Sequence, residues 1–285
     1  MTAGYRVAAP GTGRRGLLAD SLARVNHRQA RAELRYGLPA DRDRWTGCAD
    51  LLATPEEFDR WRAGLADWLV DRYADSPDRT TAGYVMTWYL WVPGYVAATL
   101  FHHERRVPSL RPADLAFRFS RPRPHPDAIA VLSPRFACLP DDPAAGTPEA
   151  TVVADERALA AVLRGRFAAH AARFVEAYQP RVRLGKRMLW AAATDVLDSS
   201  LWQAGRYGGD EGAGVLDAAL VLGPGSTPFT SASTLRPVPG EHGPTTWTRR
   251  RESCCFHYLL AQGQGACETC PRLGRRPEHP GAECR

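Results

Sequence analysis

Lysine is almost absent from this sequence: Lys186 is the only one, and the rest of the 37 basic residues are arginines. With Ala and Leu also abundant, that skew fits a GC-rich coding sequence better than a surface built for nucleic acid. No pattern repeats at a period of about 20 to 50 residues, which argues against a solenoid. Neither a helix-turn-helix nor the histidine pair of a zinc finger is recognisable, so nucleic acid is not an expected partner. The glycines match neither the dinucleotide fingerprint nor a Walker loop, and no catalytic triad is on offer. Cysteine is scarce, with 7 in 285 residues, too few for a secreted disulfide scaffold. Arg14-Arg15 before Gly16-Leu17-Leu18 resembles the start of a twin-arginine export signal, but Asp20, Arg24 and His27 interrupt the apolar run that follows. The cytoplasm is therefore the expected compartment, where thiols stay reduced.

What is present is an ordinary soluble composition, 44% hydrophobic and 24% charged, in a chain long enough for one large domain or two smaller ones. The net charge of +6 comes from arginines that gather at Arg14-Arg15, Arg181 to Arg187 and Arg249 to Arg251. Such a balance suits an acidic protein partner or an anionic small molecule. Ala82 to Phe101 holds no formal charge and has the length of a membrane span. Its threonines, glycines, Tyr and Trp residues and Pro93 suit a buried central helix better, kinked or broken near Pro93-Gly94. At most a peripheral association with membranes is expected.

Periodicity divides the rest. Leu17, Leu18, Leu22, Val25 and Leu34 fall roughly at helical spacing between Arg15 and Arg35. Thr54-Pro55-Glu56-Glu57 reads as a capped helix start, followed by a stripe of Phe58, Trp61, Leu65, Trp68 and Leu69 that ends near Tyr73. Pro108 to Pro148 is proline-rich, with short β-like runs at 115–119, 128–132 and 136–139 and another at 151–153. Helical spacing returns from Asp155 to about Tyr178 and from about Leu184 to Ala204, and residues 205–228 read as a glycine-rich loop around a short apolar run. The expected fold is α+β and predominantly α-helical. A small β region at about 108–154 lies between two helical halves of a core spanning 1–245, and a cysteine module occupies 246–285.

Four of the seven cysteines crowd together at Cys254-Cys255 and Cys267-Glu268-Thr269-Cys270. A Cys-x-x-Cys turn brings two thiolates to one metal, and Gly263 and Gly265 supply the bend that returns it to the first pair. Arg249, Arg250 and Arg251 favour thiolate over thiol. A zinc site usually shows two such knuckles, whereas a vicinal pair diverges and suits the separated corners of a two-iron cluster better than a single ion. Zinc and a redox dithiol remain the other readings of this spacing. Cys255-Phe256-His257 matches half of a Rieske motif, but the second half would need histidine where Cys270 stands. His257 is accordingly read either as a neighbour of the metal site or as a surface residue, on a helix starting at the pair. Cys48 and Cys138 read as incidental thiols, as does Cys284, although it is near enough in sequence to replace a ligand.

Arg249 to Tyr258, ending in Cys267-Glu268-Thr269-Cys270-Pro271, resembles the signature of the FhuF-type ferric-siderophore reductases. The spacer of eleven residues is one longer than that family's, an excess the turn near Gly263 and Gly265 absorbs. Leu184 to Trp190 and the alanines after it are also similar, and the likeness in helix order covers about residues 60–275. The resemblance implies a [2Fe–2S] cluster on Cys254, Cys255, Cys267 and Cys270 and one-electron reduction of a ferric siderophore, hydroxamate-type, to release Fe(II) in the cytoplasm. A ferredoxin or a reduced nicotinamide or flavin system would be the donor. From the residues themselves, Trp247, Arg249, Arg250, Arg251 and Tyr258 are candidates to line the approach of the chelate. Two other functions compete: a zinc-stabilised interaction or regulatory protein, and a [2Fe–2S] sensor or electron carrier without reductase activity.

Overall fold

The computed structural model describes residues 17–239, 246–263 and 265–273. Helix α1 (Leu17–Asn26) leads into strand β1 (Glu33–Tyr36), β2 (Trp45–Gly47) and the short α2 (Cys48–Ala53). Two long helices follow, α3 (Glu56–Tyr73) and α4 (Asp78–Glu104). The β region comprises β3 (Arg106–Pro108), β4 (Leu115–Phe119), β5 (Pro126–Val131), β6 (Phe136–Cys138) and β7 (Ala150–Val152). Helices α5 (Glu156–Tyr178), α6 (Lys186–Gly208) and α7 (Glu211–Val221) complete the core, and β8 (Arg236–Val238) pairs antiparallel with β9 (Thr246–Thr248). Helix accounts for 52% of the described residues, so the fold is α+β and predominantly helical, as the periodicity indicated.

Helix α4 is the axis of the molecule. Nearly all its side chains from Thr80 to Phe101 are buried, because α1, α3, α5 and α6 pack around it. It stays helical through Pro93, so of the kink or break expected there the break does not occur. The lost backbone bond is offset by close packing, since a Cβ added at Gly94 would lie 2.8 Å from Val196 of α6 and 3.3 Å from Phe167 of α5. An aromatic cluster ties α3, α4 and α5 together: Phe58 meets Tyr89 and Tyr178 edge-on at 5.6 and 5.1 Å, and Tyr89 stacks on Phe174 at 4.6 Å. Among the described residues, no helix is long and apolar enough to cross a membrane.

Other expectations need correcting. The helical spacing from Arg15 to Arg35 yields a helix only as far as Asn26. The chain then turns into β1, whose Leu34 N–H and C=O are tied back to the Asn26 side chain. Thr54 does not cap α3: Pro55 stands at the cap position and no side chain accepts a bond there, although the helix ends at Tyr73 as read. The apolar run within 205–228 is helix α7 rather than a loop. Asp210 caps it by accepting the Ala213 N–H at 2.9 Å. The glycines that suggested a loop are contact residues, with an added Cβ at Gly205 lying 2.5 Å from the Gly214 nitrogen. Only residues this small let α6 and α7 cross so closely.

The sheets are small. The larger has the order β1-β5-β4-β2, with β1 parallel to β5 and the other pairs antiparallel. The smaller, β3-β6-β7, carries the remaining strands of the β region. Cys254 and Cys255 lie in irregular chain just before a 3₁₀ turn at His257–Leu259, so the helix expected to begin at the cysteine pair does not form.

Candidate metal centre

The cysteine segment is held against the core by buried polar anchors from two helices. Asp195 of α6 accepts the backbone N–H groups of Glu252 and Ser253 at 2.8 and 2.7 Å, and the Ser253 hydroxyl at 2.5 Å. Arg249 donates to the Asp195 carbonyl at 2.6 Å. From α4, the Thr80 hydroxyl donates to the Phe256 carbonyl at 2.9 Å, and Tyr84 Oη lies 2.6 Å from His257 Nδ1. Gly83 between them lets the chain approach, since an added Cβ would stand 3.0 Å from the Cys255 carbonyl oxygen and 3.1 Å from the Phe256 ring. Phe256 itself sits at φ +59° and turns the backbone just after the cysteine pair.

This turn and the return at Gly265, with φ +77°, bring the four thiols into one neighbourhood. Cys254 and Cys270 are buried, while Cys255 and Cys267 are half-buried. Cys255 and Cys267 interact directly, which pulls the Cys255 thiol well below its ordinary range and pushes Cys267 up. Burial opposes the charge on Cys255, and Arg251 beside it supports it. The guanidinium of Arg251 is desolvated, yet Asp195 at 3.8 Å and Cys255 keep it firmly charged. Burial raises the Cys254 thiol, and its sulfur accepts the Phe256 N–H at 3.4 Å. Among the described residues, no group of three or more His, Cys, Asp or Glu side chains is drawn close enough to hold a metal ion. The thiols lie instead as neighbouring sulfurs with N–H and guanidinium donors among them.

Residues 251–272 match the family model of the FhuF 2Fe-2S C-terminal domain. The cofactor of the FhuF C-terminal domain is a [2Fe–2S] cluster, and the donors here suit one. All four thiols fall within the matched stretch, and Arg251 and the Phe256 N–H offset the charge that thiolates bring. No curated protein matches the chain.

Cys255 forms part of the wall of a cavity of about 450 Å³, a volume typical of small-molecule sites. Its other walls include Tyr84, Trp88 and Trp91 of α4, the arginines Arg31, Arg123, Arg249 and Arg251, and His125. Of the approach residues read from sequence, Arg249 and Arg251 line this cavity. Arg250 and Arg251 line a second one with Arg187 and Pro271. Trp247 lies in β9 opposite Pro237, and the Tyr258 ring carries the Arg272 guanidinium at 4.6 Å. Sequence reasoning did not find Asp195, Arg31, Arg123, Trp88 or Trp91 as site residues. Tyr84, Trp88 and Trp91 do follow i, i+4, i+7 spacing, which marks one helix face, but nothing local says which partner that face meets. Cys284 lies outside the described residues.

Proposed function

We propose that this protein is a ferric-siderophore reductase in which Cys254, Cys255, Cys267 and Cys270 ligate a [2Fe–2S] cluster beside the cavity of Trp88, Trp91 and Arg123. The observation that carries the reading is that Cys255 belongs at once to the thiol group and to the wall of that cavity. When bound, the cluster supplies one electron to the Fe(III) of a chelate, which becomes Fe(II), and an external one-electron donor restores it. Hard oxygen ligands hold Fe(II) far more weakly than Fe(III), so the added electron loosens the chelate without acid–base chemistry. The chain's own residues position and insulate: Asp195 and Thr80 fix the cysteine segment, and Arg251 balances charge at Cys255. The arginines and indoles of the cavity receive the chelate.

The family resemblance points to hydroxamates as the chelate, to a ferredoxin or a reduced nicotinamide or flavin system as donor, and to the cytoplasm as the place. The basic cavity supports an anionic partner on this side of the molecule. Protein purified anaerobically and reduced with dithionite tests the reading. Mixing it with ferric chelates in the presence of an Fe(II) trap should return the oxidised visible spectrum and release one Fe(II) per cluster reoxidised. A cluster that no ferric chelate oxidises would favour the sensor or electron carrier. A colourless protein with one zinc would favour the zinc-stabilised alternative.

A further inference from the structure

Two cavities lie along α6 and share Arg251 as a wall, but their arginines are placed differently. Asp195 and Ser199 line the one beside Cys255, and Arg187 and Ala191 line the other, of about 430 Å³. Beside Cys255, Arg123, Arg249 and Arg251 are half-buried, as suits a small molecule. In the second cavity Arg187 and Arg250 are exposed. Among the described residues neither forms an ion pair, whereas Arg181, from the same basic stretch as Arg187, is held by Glu56 and Asp59. Pro271, next to Cys270, belongs to this cavity's wall. The Arg251 N–H bonds the Thr269 carbonyl at 3.1 Å, which keeps Arg250 beside the Cys-x-x-Cys turn.

The surface around this cavity is mostly of one sign. Helix α6 begins at the exposed Lys186 with no acidic residue in its first turn, so its positive end adds to the charge of Lys186 and Arg187. Arg272, also exposed, follows Pro271 and lies over the Tyr258 ring at 4.6 Å. Leu273 is 51% exposed, and its N–H bonds the Cys270 carbonyl at 3.1 Å, so an apolar side chain reaches solvent on the turn that holds a buried thiol. The carboxylates here are Glu252 in the cavity lining and the exposed Glu268. Lys186, Arg187, Arg250 and Arg272 outnumber them two to one.

We propose that the face of Arg187, Arg250, Arg272 and Leu273 docks an acidic one-electron carrier protein, a reduced ferredoxin, which recharges the site. This rests on the reading of the four cysteines as ligands of a reductase's [2Fe–2S] cluster. Such a cluster takes up one electron at a time, whereas a reduced nicotinamide gives up two as hydride. One electron leaves the carrier's iron and one enters the cluster; no bond forms or breaks and no proton moves. Opposite charge steers the carrier in, and a small apolar centre with a basic rim suits a transient redox contact, the class that buries least surface. The carrier meets the chain at the turn of Cys267 and Cys270, which leaves the Cys255 cavity to the chelate.

Rapid mixing of the oxidised, cluster-loaded protein with a reduced acidic plant-type ferredoxin, read by freeze-quench EPR of the two reduced clusters, tests this. Electron transfer should slow about tenfold or more from low to high salt. Arg187→Glu and Arg250→Glu, each with wild-type far-UV circular dichroism and iron content, should each slow it about fivefold or more at low salt. Arg157 stands beside Glu156, which pairs with Arg105 at the opposite end of α4 from Thr80. Arg157→Glu should therefore change the rate less than about twofold. Methyl viologen radical cation, a small cationic reductant, should reduce the charge-reversed variants no more slowly than the wild type. A wild-type rate with ferredoxin in the double variant, or a rate indifferent to salt, would overturn the proposal. So would direct reduction by NADPH as fast as by ferredoxin. None of these results touches the reductase reading, which is tested separately by ferric chelates oxidising the dithionite-reduced protein.

Discussion

The carboxylate of Asp195 accepts both the backbone N–H and the hydroxyl of Ser253, the residue immediately before Cys254. A single buried side chain on α6 thereby sets where the first cysteine pair begins. Asp195→Ala removes the acceptor for three bonds and leaves Arg251 without its carboxylate neighbour. Hydrogen bonds to charged groups contribute roughly 1.5–3 kcal/mol each, so docking of the segment should weaken by about 3 kcal/mol or more. Iron and sulfide content should fall, and hydrogen exchange should quicken at residues 251–256 while α4 keeps its protection. Unchanged exchange there would remove Asp195 from this role.

Gly83 tests the other face of the same contact. Alanine would ordinarily favour a helix by roughly 0.5–1 kcal/mol over glycine. Here the new methyl meets the Cys255 carbonyl and the Phe256 ring, and the Thr80 bond to Phe256 stops that backbone from retreating. Gly83→Ala should leave the far-UV spectrum intact, alter the visible circular dichroism of the cluster and speed its loss in air. Gly83→Val should do more of both. A cluster spectrum and lifetime matching the wild type would show that the segment gives way freely.

The cysteines divide into two sets. Serine at Cys254, Cys255, Cys267 or Cys270 should reduce iron to well below two per chain. Alanine at Cys48 or Cys138 should not. Burial pushes the Cys48 thiol up to about 12 and also raises Cys138, so neither is a thiolate at neutral pH, and both lie in the packed core. Iron and sulfide assays on the six variants decide the matter, and retention of two irons after loss of one of the four would move that residue off the cluster.

His170 makes stability depend on pH. Its Nδ1–H donates to the Leu110 carbonyl at 2.7 Å and its Nε2 accepts from the Tyr89 hydroxyl at 2.9 Å, which fixes the neutral ring. Burial holds its pKa down at about 4, against 6.5 when exposed. The unfolded chain binds this proton first as pH falls, so stability drops between about pH 6.5 and 4, by up to roughly 3 kcal/mol. Urea midpoints at pH 7 and 4.5 should differ more for the wild type than for His170→Gln. Equal pH dependence in both proteins would mean that another group carries the effect.

The cysteine cluster and the long helices are legible in the sequence, for physical reasons that particular residues display. Helix α5 is legible because Asp155 caps a sustained apolar stripe, and α3 because Phe58, Trp61, Leu65 and Leu69 share one face. The cysteines are legible because chelation demands short spacing. Helix α7 was hidden because Gly205 and Gly214 serve interhelical contact, and glycine in a sequence looks the same at a crossing as in a loop. The cavity was hidden for a related reason: Arg31, Trp88, Arg123 and Cys255 come from four separate stretches of the chain. Only the packing of α4 against its neighbours makes them adjacent.

Helix α4 touches distant parts of the chain at its two ends. Near its start, Thr80 bonds Phe256, 176 positions away, and at its end Glu104 binds Ser21 and Arg24 of α1. The cysteine segment has one 3₁₀ turn, at His257–Leu259, and takes its anchors from α4 and α6. The core therefore holds the thiols in place, and a change that loosens α4 or α6 should release the cysteine segment along with it.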